Sequence, residues 1–201
     1  MSLKIRLSKS SISSKEKRAV MKVLEKEYLG MGTEVKKFET NLNSYLSKSK
    51  SFVACVNSGT AALQLSLQAI GIKKNDKVLV PSLNFVSGIQ AISATGATPV
   101  FCDVLKENFT IDPMDIKKKL SKKIKAIMPV HYAGASADMD SINKIAKSNN
   151  IFVIEDSAHA LGSFDYKNNL IGTGENLSCF SFDGIKNITS GEGGAIFTKN
   201  K

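Results

Sequence analysis

The sequence predicts an α/β fold: a three-layer sandwich around a mostly parallel, mixed sheet. From about residue 52 onward, short β-branched or apolar runs alternate with amphipathic helical stretches. Of the 201 residues, 42% are hydrophobic, enough to bury a substantial core. No repeat, low-complexity tract or Pro/Gly-rich linker interrupts the alternation.

The elements follow in order. Ser13 with Glu16 forms a capping-box pattern, and Val20, Val23, Leu24 and Glu27 continue it at helical spacing to Tyr28, with Gly30 as the stop. Thr33 reads as the N-cap of a second helix, whose apolar stripe is Val35, Phe38, Leu42, Tyr45 and Leu46. Strands are expected at 52–56, 77–80, 98–102, 125–130, 151–155, 178–182 and 195–198. Helices are expected at 60–70, 86–95, 113–120 and 139–148, the last two capped by Asp112 and Asp138. The two leading helices, residues 1–50, read as an arm that precedes the main unit, residues 51–201.

Composition narrows the function classes. Cys55, Cys102 and Cys179 cannot all pair, and each lies in or beside an apolar stretch, so they read as reduced thiols of a cytoplasmic protein. No CxxC or CxxH spacing points to a metal. No stretch of eighteen apolar residues occurs, and the basic N-terminus lacks the apolar run of a signal peptide, so no membrane partner is expected. The formal charge is +10, but residues 1–50 carry +7 of it on 12 Lys/Arg and 5 Asp/Glu. That distribution fits a lysine-rich solvated helix face. A nucleic-acid surface would favour clustered arginine, and the chain has only Arg6 and Arg18.

In a parallel sheet, ligands bind beyond the carboxyl ends of strands, so the residues following each strand carry the functional reading. After the first comes Asn57-Ser58-Gly59-Thr60-Ala61-Ala62-Leu63, a tight turn into a helix whose N–H groups and hydroxyls suit a phosphate. The same residues also read as a plain helix cap, and they match neither GxGxxG nor GxxxxGK[ST]. After the fifth comes Glu155-Asp156-Ser157-Ala158-His159, where an apolar run delivers a carboxylate suited to a cationic ring nitrogen, or to capping a helix. His159 is either ligand-facing or structural. Near the end, Cys179-Phe180-Ser181-Phe182-Asp183-Gly184-Ile185-Lys186-Asn187 precedes the glycine-rich 190–194 segment. Lys186, in a turn between two strands, is a candidate Schiff-base nucleophile, although a lone lysine is more often simply solvated.

Five stretches, VNSGTAAL (56–63), VPSLNFVSGIQAI (80–92), PVHYAGASADMDSI (129–142), VIEDSAHALGS (153–163) and CFSFDGIKNITSGEGGAIFT (179–198), together resemble the DegT/DnrJ/EryC1/StrS sugar aminotransferases among fold-type I pyridoxal-phosphate enzymes. The resemblance implies a transferase-like large domain with pyridoxal 5′-phosphate held by Lys186. Asp156 would pair with the pyridine nitrogen, and Ser58, Gly59, Thr60 and Ser181 would surround the phosphate. Phe85 would stack on the ring, and His159 would lie near the phenolic oxygen. Lys186 and Asp156 would be the catalytic pair. The implied reaction moves an amino group from glutamate to a keto carbon of a nucleotide-linked sugar, in a homodimer serving polysaccharide or glycan synthesis.

Two departures accompany it. Asp183 stands where many relatives have His, with consequences for local polarity and substrate choice. The family also continues into a smaller C-terminal domain, so residues 51–201 are expected to be a large domain truncated before it. No arginine outside the N-terminal arm is present to receive glutamate's carboxylate. The competing expectation is a non-catalytic fragment that keeps only the cofactor half-site.

Overall fold

A computed structural model describes residues 9–47 and 49–200. Its elements are α1 (Ser14–Glu25), α2 (Thr33–Leu46), β1 (Phe52–Val56), α3 (Gly59–Ala69), β2 (Lys77–Pro81), α4 (Val86–Ala94), β3 (Thr98–Cys102), α5 (Pro113–Lys119), β4 (Ile124–Ile127), α6 (Met139–Asn149), β5 (Phe152–Asp156), β6 (Leu177–Ser181) and β7 (Gly194–Thr198). The seven strands form one sheet in the order β1-β7-β6-β5-β4-β2-β3. Only β7 runs against its neighbours β6 and β1, so the sheet is mixed and mostly parallel, as expected. Six strands therefore deliver their carboxyl ends to the same side.

Helices cover both faces. Ala62, Leu63 and Leu67 of α3 and Ala91 and Ile92 of α4 pack on Val78, Val80, Ile154 and Cys179. On the other face, Ile116 of α5 and Ile142, Ile145 and Ala146 of α6 meet Leu79, Ile127 and Val153. Leu42 and Leu46 of α2 close the same face farther along, against Phe180, Phe182, Ala195 and Phe197. Crossovers that step in opposite directions on opposite faces satisfy the right-handed rule, and the reversal opens a crevice at the strand ends.

Local signals account for most boundaries. Ser13 and Glu16 form the capping box, and the side chains of Asp112 and Asp138 accept amide N–H groups at the starts of α5 and α6. The differences have physical causes. α1 closes at Glu25 rather than reaching Tyr28, because Lys26 and Glu27 turn their N–H groups back to Val23 and Leu24 and Glu27 adopts φ 52°. Gly32, in extended conformation, is the N-cap of α2, and Thr33 is the first helical residue. β4 stops at Ile127 instead of 130, since Pro129 has no N–H to give the ladder. β5 extends one residue further than expected, making Asp156 its last residue.

Cys55 is half-buried, Cys102 and Cys179 are buried, and all three are free. Burial pushes the Cys55 thiol up to about 11, and those of Cys102 and Cys179 higher. Arg6 lies outside the described residues, and Arg18 is exposed on α1. Among the described residues, no helix is long and apolar enough to cross a membrane.

Candidate active site

A cavity of about 500 Å³ lies at the carboxyl ends of the strands. It is lined by all eight residues singled out from the sequence: Ser58, Gly59, Thr60, Phe85, Asp156, His159, Ser181 and Lys186. They come from four separate segments, 58–60, 85, 156–159 and 181–186, and the sheet direction brings them together.

The turn into α3 forms one wall. The Ser58 hydroxyl accepts the Ala61 N–H at 3.1 Å, so Ser58 is a helix cap as well as a cavity residue. Among the described residues, the N–H groups of Gly59 and Thr60 have no acceptor and end the helix beside the cavity. Their position is set by close backbone approach. A Cβ on Gly194 would overlap the Ser58 carbonyl and lie 2.8 Å from the Gly59 nitrogen, while a Cβ on Gly59 would lie 2.9 Å from Ser181 Cβ. Two glycines thus seat the turn directly on β6 and β7, with the Ser181 hydroxyl against it.

Asp156 and Ile154 share the α3 face of β5, so alternation aims the carboxylate into the cavity. Asp156 is 4% exposed. Burial pushes its carboxyl above the usual range, opposed by the Ala158 N–H that Oδ1 accepts at 3.1 Å. Turns follow it, so Asp156 caps an amide without starting a helix. The Lys186 charge also lowers its pKa, but among the described residues no side chain donates a hydrogen bond to the carboxylate, the place a protonated ring nitrogen would take.

Lys186 lies between β6 and β7, its backbone N–H bonded to the Asp183 carbonyl at 3.0 Å. No hydrogen bond or ion pair among the described residues engages its amine, and it faces the cavity. Asp183 also lines the cavity, and its Oδ1 accepts the Ile185 N–H at 3.1 Å. It therefore shapes the lysine turn. His159 is half-buried, and its pKa is held below the ordinary value by burial first and by the Lys186 charge second. Its Nδ1 accepts the Ala133 N–H at 3.3 Å. Phe85 is 70% exposed at the cavity mouth, its ring available to a planar ligand.

The sequence reading did not identify two further residues. Tyr132 lines the cavity and meets His159 edge-on, with ring centroids 5.9 Å apart; its place just beyond a strand was the available signal. Asn84 also lines the cavity, and both polar atoms of its amide are buried without a partner. Only the three-dimensional packing reveals that orphaned amide. No arginine lines the cavity among the described residues.

These features fit pyridoxal phosphate: free amide donors and a hydroxyl for a phosphate, a buried carboxylate with no side-chain donor among the described residues, an amine without a hydrogen bond or ion pair, and an exposed ring. The family model for the DegT/DnrJ/EryC1/StrS aminotransferase family matches residues 10–201. The chain belongs to this family.

Among curated members, GDP-perosamine synthase of Escherichia coli O157:H7 is 42% identical over 193 residues, covering 95% of this chain and 52% of that protein. The spore coat polysaccharide biosynthesis protein SpsC of Bacillus subtilis (strain 168) is 40% identical over 190 residues, covering 94% and 48%. The chain spans about half the length of the curated relatives it matches. Among solved structures, Spr1654 of Streptococcus pneumoniae in its PLP form superposes with a TM-score of 0.89 at 31% identity, covering 98% of this chain and 53% of that one. PseC of Helicobacter pylori, an aminotransferase involved in pseudoaminic acid biosynthesis, gives a TM-score of 0.89 at 31% identity, covering 98% and 52%. Pyridoxal phosphate is the cofactor of the family.

Proposed function

We propose that this chain forms the cofactor-binding large domain, with residues 1–50 as its helical arm, of an aminotransferase that moves an amino group from glutamate to a keto carbon of a nucleotide-linked sugar. The observation that carries the proposal is the convergence of Lys186, Asp156 and the free α3 amides on one cavity. The nucleotide-sugar assignment is supported by the relative named for GDP-perosamine, and polysaccharide synthesis by the relative named for spore coat polysaccharide. A homodimer of the longer enzyme, working in the cytoplasm, completes the reading.

Pyridoxal phosphate, when bound, supplies an aldehyde that combines with amines and a ring that draws electrons from the adjoining carbon. Gly59 and Thr60 N–H groups and the Ser181 hydroxyl would bind the phosphate, with Ser58 holding the turn. Asp156 would hold a proton at a ring nitrogen placed against it, and Phe85 would fix the ring plane. His159 would donate from Nε2, because Nδ1 is occupied as an acceptor. Lys186 Nζ would take the proton from the carbon that bears the amine and return it across the transfer.

Adding pyridoxal phosphate, reducing with borohydride and mapping peptides should place the label on Lys186, together with a visible absorbance band that Lys186→Ala abolishes. An unchanged band in that variant would overturn the assignment. The half-length coverage favours one second reading: a chain that holds the cofactor without turning over by itself. Glutamate and a nucleotide-linked keto sugar, supplied to the labelled chain, separate the two by the presence or absence of aminated product.

A further inference from the structure

His131 takes no part in the chemistry above, is fully buried, and is bonded twice to the segment that carries Asp156. Its backbone N–H donates to the Asp156 carbonyl at 3.0 Å, and the Asp156 N–H donates to the Pro129 carbonyl at 2.9 Å. Its ring reaches the preceding residue of β5: Nε2 lies 3.0 Å from Glu155 Oε2. The other ring nitrogen, Nδ1, accepts the Ala137 N–H at 3.2 Å. A ring nitrogen that accepts an N–H carries no proton, so the proton sits on Nε2 and the contact with Glu155 is a donation.

Glu155 completes the arrangement. Its Oε1 accepts from the Asn176 amide at 2.7 Å, and that amide also donates to Asn143 Oδ1 on α6 at 3.1 Å. Strand alternation points Glu155 away from the cavity and Asp156 into it. The His131 ring therefore anchors the back of β5 while the cavity-facing carboxylate occupies the front.

The same ring closes the loop 131–137 on itself. Within that loop Ala133 stands at φ 51°, a left-handed conformation that is unfavourable for a residue with a Cβ. From there its N–H reaches His159 Nδ1, and the neighbouring Tyr132 packs on the His159 ring. Strain of this kind persists only where surrounding bonds hold it.

We propose that His131 is a positioning residue: a neutral, Nε2-protonated imidazole that ties the 131–137 loop to the back of β5, fixing both the Asp156 strand end and the ring tautomer of His159. Its effect on cofactor binding rests on the cofactor reading given above; the tie itself does not.

The chain has two histidines, which makes ring nitrogen-15 NMR decisive. At pH 8, in the full cofactor-free chain, His131 should give one bare Nδ1 signal and one protonated Nε2 signal coupled across the bond to Glu155. An Nδ1-protonated or mixed ring at position 131 overturns the proposal, whatever the variants do. His131→Gln, which loses the acceptor for Ala137, should turn the single His159 tautomer into a mixture and weaken pyridoxal phosphate binding about tenfold. Glu155→Gln, which keeps an oxygen facing His131, should retain the His159 tautomer. A purely structural His131 would lower the melting temperature of His131→Gln and leave the His159 signals unchanged, which would also overturn the proposal. If the wild-type chain bound no pyridoxal phosphate, the cofactor reading would fail while the ring signals still judged the tie.

Discussion

α1 and α3 begin alike and end up doing different things. Each is entered through a serine whose hydroxyl accepts a backbone N–H, Ser13 from Lys15 and Ser58 from Ala61. α1 adds the reciprocal Glu16 contact, yet it buries none of its residues, and Val20, Met21 and Leu24 remain exposed. α3 buries Ala62, Leu63, Ser66 and Leu67 and is held at its first turn by Gly194 and Ser181. A cap is therefore a local device in both helices. It becomes part of a binding site only where tertiary packing aims the spare amides at a cavity.

The comparison can be broken most forcefully at Gly194. Gly194→Ala drives a methyl group into the Ser58 carbonyl, and neither backbone can yield without separating α3 from β7. We expect a loss of about 3 kcal/mol, read from urea unfolding. Gly59→Ala meets Ser181 Cβ at 2.9 Å, an atom that moves only with the β6 backbone, so the turn must lift slightly off the strand; about 2 kcal/mol should be lost, together with phosphate affinity measured by titration with pyridoxal phosphate.

Asp156→Asn should have the opposite sign in the cofactor-free chain. Burial raises the folded carboxyl above its unfolded value near 4, so the unfolded chain releases that proton first as pH rises. Stability falls across that window and stays lower above it. The substitution should therefore do nothing to stability below about pH 4 and raise the melting temperature at neutral pH. Thermal melts of both proteins across pH measure this, and a loss at neutral pH would contradict the electrostatic account of the site.

The smallest effect belongs to α1. Ser13→Ala should cost about 1 kcal/mol of local helix stability, visible as faster amide exchange over residues 15–18. The global unfolding midpoint should not move, because no core residue depends on that helix.

Much of this was legible in the residues. The strands were readable because the sheet is covered on both faces, leaving unbroken apolar runs such as 78–80 and 152–154. The caps Asp112, Asp138 and Ser13 were readable because they act within three residues. The start of α2 was misread by one position, since Gly32 and Thr33 are both acceptable cap types and only the backbone torsions separate them. Asn84 and the His131 tie could not be read. An orphaned amide and a ring bonded to residues 6 and 24 positions away leave no periodic trace.

Local chemistry within the sequence determined the alternation of strand and helix, the caps, and the placing of a serine–glycine turn, an aspartate and a lysine at strand ends. Tertiary structure decided what those residues became, because burial and close backbone approach are properties of neighbours distant in sequence. It withdrew the Asp156 carboxylate from water, seated Gly59 against Ser181, and set His131 behind the strand that carries the aspartate.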